Sequence, residues 1–254
     1  TVALFPKDRI DLELKETNVV LRCGKYRTSI KGMLADDFPV IPAVSQGNEV
    51  VLVTSDLENT LNQVVFTVNP EESRPEIGGV YFKINKNNLV VVGTDSYRLA
   101  EREVKILSTT EPNGYSLIIP IRAVQEVARV LATNEGEVKM ISNENQILWQ
   151  LGETRVTSRL VAGQFPDYQQ IIPKNFITEA VVPKDELLRA VRAASLFVRV
   201  GINDIRLTIN PSEQIIRISS TNSQLGENVA EVPVVSSSGE TTEIVFNYKY
   251  LLDG

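Results

Sequence analysis

The sequence contains no histidine and only one cysteine, Cys23, among its 254 residues. Without histidine the chain can form neither a Ser-His-Asp triad nor a histidine general base, and a tetrahedral zinc site is excluded as well. A single cysteine also excludes an internal disulfide framework and is typical of a reducing cytoplasm. We therefore expect a cytoplasmic protein with no metal site and no cofactor.

Long apolar runs, phosphate-binding motifs and an excess of positive charge are also missing. No apolar run approaches the roughly 18–20 residues that a membrane helix needs, so we expect no membrane partner. Neither GxxxxGK[ST] nor GxGxxG occurs, so nothing indicates a phosphate-cradling loop. With 26 basic and 32 acidic residues the net charge is −6, which argues against a simple basic nucleic-acid binder.

The chain repeats itself with an offset of about 127 residues. Two pairs of segments share this offset: 18–42 with 145–173, and 80–104 with 205–232. The FP dipeptide that begins at Phe38, for example, returns at Phe165. A period this long indicates duplicated domains rather than a solenoid.

The repeat also predicts domain boundaries. Three complete copies would need about 381 residues, so the sequence is expected to be an interior piece of a three-domain protein. We assign the C-terminal part of a first domain to 1–47, a complete middle domain to 48–175 and a truncated third domain to 176–254.

Each copy is expected to be α+β, with about eight strands and two helices. The strands, beginning with VALF at 2–5, are β-branched and separated by turn residues, which favours antiparallel hairpins. Apolar residues at helical spacing predict three helices, at 55–66, 120–132 and 183–199. Ser55 or Asp56 is the expected N-cap of the first helix. Helices laid on one face of an antiparallel sheet form a standard two-layer domain.

Arginines are concentrated on the polar faces of two predicted helices. The segment 183–199 carries a net charge of +2 and the segment 120–132 a net charge of +1, within an otherwise acidic chain. Ordinary solvated helix faces and a surface that faces DNA phosphates are both compatible with this pattern. The candidate DNA-facing residues are Arg122, Arg129, Arg189, Arg192 and Arg199.

Three segments carry a resemblance to a known family. They are GVYFKINKNNLVVVGTDSYRLAERE at 79–103, LVAGQFPDYQQIIPKN at 160–175 and FNYKYLLD at 246–253. Together they closely resemble the bacterial DNA sliding clamps, the beta subunits of DNA polymerase III, and the resemblance extends over essentially the whole chain. It implies the DNA clamp fold, with repeated domains, antiparallel sheets on the outside and two helices per domain lining the inside.

The same resemblance implies a processivity factor of DNA replication and not an enzyme. Clamps of this family pair head to tail into a homodimer ring around duplex DNA. Their further partners are the DNA polymerase III alpha subunit, the clamp loader and other clamp-binding proteins that carry short linear motifs. Ring closure joins the first domain of one chain to the third of another, so we expect a homodimer only of the full-length chain.

The resemblance further implies a pocket for partner peptides. Its residues would be Arg74, Ile77, Thr94, Ser96, Tyr97, Arg98, Leu99 and Pro173. A short apolar peptide needs apolar walls and a few orienting polar groups. Leu99, Ile77 and Pro173 would supply the walls, while Arg98 and Thr94 would supply the polar groups.

Other interpretations of the same residues stay open at this point. Ser96 stands where the family usually has glycine, and Tyr97 stands where it often has histidine. Taken alone, TDSYRLA is typical of an irregular strand with a turn-like bulge at its Asp95-Ser96 step. The alternative function is a β-rich, carboxylate-dependent hydrolase that uses Asp95 or Asp167, which would need two carboxyl groups about 5–9.5 Å apart.

Three further features are expected to be structural. Cys23 lies in a strand pattern, where a small residue is common. Trp149 alternates with Leu148, which favours packing over stacking on a nucleic-acid base. The FPDY motif at 165–168 is expected to form a structural corner.

Overall fold

The computed structural model describes residues 2–38, 44, 46–70, 73–199 and 201–254. The chain divides into two compact units, Thr1–Ser45 and Gln46–Gly254. Pro39, the second residue of the first FP dipeptide, lies outside the described residues.

The first unit contains an antiparallel sheet of three consecutive strands. They are β1 (Asp11–Lys15), β2 (Asn18–Cys23) and β3 (Tyr26–Lys31), paired in this order. Glu16 and Gly24, both with positive φ, lie in the connecting turns. The expected strand VALF is wrong: it holds a 3-10 turn at Val2–Leu4, because the Phe5 N–H donates to the Val2 carbonyl at 3.0 Å instead of to a neighbouring strand.

In the residues that the structure describes, the second unit begins with nine strands and two helices. The strands are β4 (Asn48–Val53), β5 (Gly79–Ile84), β6 (Asn88–Thr94), β7 (Leu99–Lys105), β8 (Ser108–Thr109), β9 (Tyr115–Pro120), β10 (Glu137–Ser142), β11 (Gln146–Leu151) and β12 (Thr154–Arg159). The helices are α1 (Thr54–Asn62) and α2 (Ile121–Leu131). The strands pair into two antiparallel sheets, with the orders β12-β11-β10-β4-β8 and β7-β6-β5-β9.

One apolar core joins both of these sheets to both helices. Leu57 and Leu61 of α1, and Val124 and Val127 of α2, are fully buried in it, as their helical spacing predicts. Trp149 of β11 is fully buried in the same core, which confirms its packing role.

The described residues of the rest of the second unit form six strands and two helices. They are β13 (Thr178–Val181), α3 (Lys184–Ser195), β14 (Asp204–Asn210), β15 (Ile215–Asn222), β16 (Gly226–Pro233), β17 (Ser236–Gly239), β18 (Thr242–Asn247) and α4 (Tyr248–Asp253). The strands form a two-stranded sheet, β13-β17, and a four-stranded sheet in the order β16-β15-β14-β18.

The strand orders repeat along the chain as the sequence predicts. The four-stranded sheet β16-β15-β14-β18 copies β7-β6-β5-β9, and the pair β13-β17 copies β4-β8. The three hairpin-connected strands of the first unit copy β10, β11 and β12. The chain is therefore an α+β protein built from copies of one antiparallel domain.

Two of the predicted helices end early. Helix α3 stops at Ser195, where its hydroxyl donates to the Arg192 carbonyl at 2.7 Å and the following amides bond three residues back. Arg199 therefore lies beyond the helix and not on its face, which corrects our expectation. Helix α1 stops at Asn62 and is followed by a 3-10 turn, Val65–Thr67.

The expected N-cap of α1 is also wrong. The helix begins at Thr54, so Ser55 and Asp56 lie inside its first turn, and Val53 precedes it without a capping side chain. The Thr54 N–H instead donates to the carbonyl of Gly136 at 2.9 Å, so a neighbouring loop satisfies this first amide.

Candidate functional site

The TDSYRLA motif forms the turn between β6 and β7 and the start of β7. Thr94 and Leu99 face each other across this hairpin. The Asp95 carboxylate organises the turn, since its Oδ1 accepts from the N–H of Tyr97 at 3.0 Å and of Arg98 at 2.9 Å. The interpretation as an irregular strand with a turn-like bulge is corrected in one respect: residues 95–98 form a turn that connects two paired strands.

Thr94 and Ser96 help to form the backbone conformation of this turn. The buried Thr94 hydroxyl donates to the Arg98 carbonyl at 2.7 Å and accepts from the Ser96 N–H at 3.1 Å. Ser96 has a φ of +73°, in the left-handed region that costs a residue with a side chain about 1–2 kcal/mol. This backbone conformation is the physical reason that glycine suits the position.

The guanidinium of Arg98 is bonded through all three nitrogens. Nε donates to Asp95 Oδ2 at 3.0 Å, Nη2 donates to the Phe66 carbonyl at 2.8 Å, and Nη1 pairs with the Asp253 carboxylate. Its central carbon lies 5.4 Å from the ring centroid of Phe66 and 4.5 Å from that of Tyr250. Burial alone would lower the pKa of Arg98, but the bonds and charges of Asp253 and Asp95 raise it overall.

Gly93 allows the segment that carries Phe66 to approach β6. A Cβ at Gly93 would lie 2.6 Å from Val68 Cγ2 and 2.7 Å from Thr67 Oγ1, so these side chains would have to shift to admit it. The turn after α1 can therefore pack directly on the end of β6, next to the hairpin.

Leu99 joins the hairpin to a small apolar cluster. It is half-buried and packs against buried Val92, Ile118, Phe165 and Tyr168. Phe165 stacks on the ring of Tyr81, with centroids 4.7 Å apart. The FPDY motif thus forms a structural corner, as expected.

The remaining predicted pocket residues lie at the edges of this region. Pro173 is exposed and lines a shallow cavity together with Glu101 of β7 and Ile172. Ile77 donates its N–H to the Arg74 carbonyl at 3.1 Å, in a separate turn that leads into β5.

Tyr97 is highly exposed, at 84%. Five of the predicted pocket residues belong to the hairpin: Thr94, Ser96, Tyr97, Arg98 and Leu99. The other three, Arg74, Ile77 and Pro173, come from two other segments.

Three residues around Arg98 were missed by the sequence analysis. Phe66, Tyr250 and Asp253 lie 32 to 155 residues away from it along the chain. The segment FNYKYLLD, which contains two of them, contributed to the family resemblance, but nothing local in the sequence pairs it with the hairpin.

The five candidate DNA-facing arginines are all exposed. Arg122 and Arg129 lie on α2, and Arg189 and Arg192 lie on α3. Two of the five have acidic partners: Arg129 Nε donates to Glu126 Oε2 at 3.1 Å, and Arg199 Nη2 donates to Asp204 Oδ2 at 2.8 Å.

The carboxylates proposed for a hydrolase have other partners. Both oxygens of Asp95 accept hydrogen bonds within the hairpin turn, and Asp167 Oδ2 accepts from Gln170 Nε2 at 2.8 Å. These bonds hold local turns and give no support to the hydrolase interpretation. Cys23 is buried in β2, in agreement with a structural role.

The described part of the chain contains neither a metal-ligand cluster nor a membrane-spanning helix. Within residues 2–38, 44, 46–70, 73–199 and 201–254, no cluster of three or more Asp, Glu, Cys or His residues could bind a metal ion. Among the helices of the described ranges, none has the length and apolar character needed to cross a membrane.

Comparison with known proteins places both parts of the second unit in one family. The family model described as DNA polymerase III beta subunit, central domain, matches residues 51–167. The model described as DNA polymerase III beta subunit, C-terminal domain, matches residues 169–254.

Curated relatives and solved structures agree with these matches. The beta sliding clamp of Bacillus subtilis is 32% identical over 99% of this chain and 67% of its own length, and that of Staphylococcus aureus is 29% identical over 94% and 63%. The crystal structure of the Bacillus subtilis sliding clamp superposes with a TM-score of 0.85 at 31% identity, covering 99% of this chain and 66% of that one.

The Thermotoga maritima DNA polymerase III beta subunit superposes equally well, with a TM-score of 0.85 at 28% identity over 99% of this chain and 67% of that one. The chain thus spans between 63% and 67% of the length of these relatives. With matching domains, matching fold and full coverage of its own length, the chain belongs to the family of bacterial beta sliding clamps, the beta subunits of DNA polymerase III.

Proposed function

We propose that the protein acts as a sliding clamp, a processivity factor that encircles duplex DNA and tethers replication enzymes. The observation that carries the proposal is the repetition of one antiparallel domain in a chain of the clamp family. A protein that stays on DNA by encircling it needs such repeated domains but no catalytic residues. We therefore propose a non-catalytic role, in the cytoplasm.

The domain assignment belongs to this proposal. Residues 1–47 would be the C-terminal part of a first clamp domain, 48–175 the middle domain and 176–254 part of the third. The full-length protein would pair head to tail as a homodimer ring, with the exposed arginines of α2 and α3 on the side of the DNA.

The hairpin between β6 and β7 would dock partner proteins. Leu99 and the cluster beneath it offer an apolar surface, and exposed Tyr97 lies two residues away. Short linear motifs of the DNA polymerase III alpha subunit, the clamp loader and other clamp-binding proteins would bind here. Such a peptide would gain affinity mainly from apolar burial.

The docking site is tested with a peptide that carries a glutamine followed by Leu and Phe residues. Leu99→Asp should abolish its binding in calorimetry, because the substitution puts a charge where the peptide buries apolar surface. Tyr97→Ala, at a position too exposed to affect folding, should weaken binding without abolishing it.

The matched control is Leu107→Asp, which makes the same change at a leucine that is 52% exposed and lies beyond the far end of β7. It should leave the peptide affinity unchanged. Thermal melts followed by circular dichroism check that each variant is folded. Unchanged affinity in both folded Leu99→Asp and Tyr97→Ala would refute docking at this hairpin.

A further inference from the structure

The environment of Arg98 joins two copies of the repeated domain. Asp95 and Phe66 belong to the middle copy, whereas Tyr250 and Asp253 belong to α4 in the third. The Arg98 side chain is only 21% exposed, and that of Asp253 is 44% exposed.

We propose that Arg98 is a positioning residue that holds α4 against the middle domain and thereby shapes the docking site, rather than a residue that contacts the partner peptide. This inference rests on the proposed function, since it concerns the same site. It differs from our expectation that Arg98 would orient the peptide.

The hydrogen-bonding capacity of Arg98 supports this role. A guanidinium has five N–H donors in a rigid planar fork. Here each of its three nitrogens already donates, and two aromatic rings lie within cation–π distance of its central carbon. Only two of its five N–H donors are left to recognise a ligand.

The local charge balance leads to the same conclusion. Arg98 pairs with two carboxylates, those of Asp95 and Asp253, so the three groups together carry a net charge of −1. An acidic group on a peptide would meet this net negative charge and gain nothing from the arginine. The site should therefore favour neutral and apolar motifs.

Helix α4 needs such an external contact. It has six residues, which is too short to be stable alone. Leu251 and Leu252 pack on the core of the third domain. Tyr250 and Asp253, three residues apart and therefore neighbours on the helix surface, reach Arg98 instead.

The repeat provides an internal comparison for this arginine. In the third domain the equivalent turn is held by Asn222, whose Oδ1 accepts from the N–H of Gln224 at 2.9 Å and of Leu225 at 3.3 Å. Leu225 occupies the position of Arg98. The turn can thus form without an arginine, so the arginine of the middle domain is available for another role.

The test measures amide hydrogen exchange of α4 and peptide affinity in the same variants. Arg98→Met keeps the approximate length of the side chain without the charge, and Asp253→Asn leaves Arg98 in place but removes one of its two ionic partners. In both, the amides of 249–253 should exchange about tenfold faster, and peptide binding should weaken. Arg98→Lys should behave like Arg98→Met, because an ammonium cannot make the three divergent bonds.

The control is Arg102→Met, which changes an exposed arginine of β7 and should alter neither quantity. One result would overturn the proposal by making Arg98 a direct peptide contact. In that result, Arg98→Met loses peptide affinity without faster exchange of the α4 amides, and Asp253→Asn changes neither quantity. Faster α4 exchange with unchanged affinity would overturn the link to docking. If the unmodified protein binds no peptide, the proposed docking function fails, while the exchange data still decide whether Arg98 holds α4.

Discussion

At the scale of single residues, Tyr168 fastens the 3-10 turn Tyr168–Ile171 to β7. Its hydroxyl donates to the Glu101 carboxylate, and its ring packs edge-on against Tyr81 and Phe165. Burial, together with this hydrogen bond, raises the pKa of Tyr168. The folded state therefore favours the neutral phenol. Its contribution to the free energy of unfolding is fully present below a pH of about 10, the pKa of the phenol in the unfolded chain.

We predict that Tyr168→Phe lowers the free energy of unfolding by about 1 kcal/mol at pH 7. The difference from the unmodified protein should stay constant up to about pH 10 and shrink at higher pH, because the unfolded state ionises first. Chemical denaturation at a series of pH values measures this difference. Tyr97→Phe, at a highly exposed tyrosine, is the control, and a difference that grows above pH 10 would contradict the prediction.

At the scale of elements, two hairpins occur as copies of each other. Gly24 lies in the turn between β2 and β3, and Gly152 lies in the turn between β11 and β12, with φ values of +53° and +56°. A Cβ at either position would meet no atom within 4 Å. Backbone conformation alone therefore decides which residues these turns accept.

Gly152→Ala should lower the free energy of unfolding by about 1 kcal/mol, because alanine disfavours the left-handed region. Gly152→Asn should cost less, since asparagine adopts this conformation more readily. Gly24→Ala should lower the free energy of unfolding of the first unit by a similar amount. Urea denaturation measures all three variants, and an asparagine variant less stable than the alanine variant would show that contacts also matter.

Elements with a strong internal pattern could be predicted from the sequence. Helix α2 was predicted to within one residue at each end, because Ile121, Val124 and Leu131 maintain one apolar stripe along its whole length. The end of α3 could not be predicted in this way. The apolar pattern continues to Val198, although the helical hydrogen bonds end near Ser195.

The candidate site was predictable only in part for a related reason. The hairpin residues from Thr94 to Leu99 are contiguous, so a motif reveals them together. Asp253 and Phe66 reach Arg98 through the tertiary fold, and no pattern in their own segments indicates that contact.

At the scale of the whole molecule, charge is unevenly arranged. Exposed arginines occur on α2 and α3, whereas arginines on the third-domain sheet pair with carboxylates on neighbouring strands. Arg217 Nη2 lies 2.7 Å from Glu231 Oε1, and Arg206 Nη1 lies 3.2 Å from Glu243 Oε1. Such pairing leaves the sheet little free positive charge to offer to phosphates.

We predict that replacing Arg122, Arg129, Arg189, Arg192 and Arg199 together by Glu abolishes binding to duplex DNA at low salt. The binding of the unmodified protein should weaken steeply as salt increases, because it depends on counterion release. Fluorescence anisotropy of a labelled duplex over a salt series measures both effects, and peptide docking at the hairpin should be unaffected.

A control set makes the same charge change on exposed strand positions: Arg22, Arg27, Arg102, Arg155 and Arg206, each replaced by Glu. This set should retain clearly more DNA binding than the set of five candidate DNA-facing arginines. Equal losses in the two sets would mean that net charge, and not the position of these arginines, determines the interaction.

The buried position of Trp149 gives the protein an intrinsic optical reporter. It is the only tryptophan in the sequence, and it is fully enclosed in the core of the middle domain. Native fluorescence should therefore be blue-shifted and protected from soluble quenchers, and it should respond to the opening of that one domain. Circular dichroism averages over all copies, so comparing the two signals distinguishes local opening of the middle domain from cooperative unfolding of the chain, without an added dye.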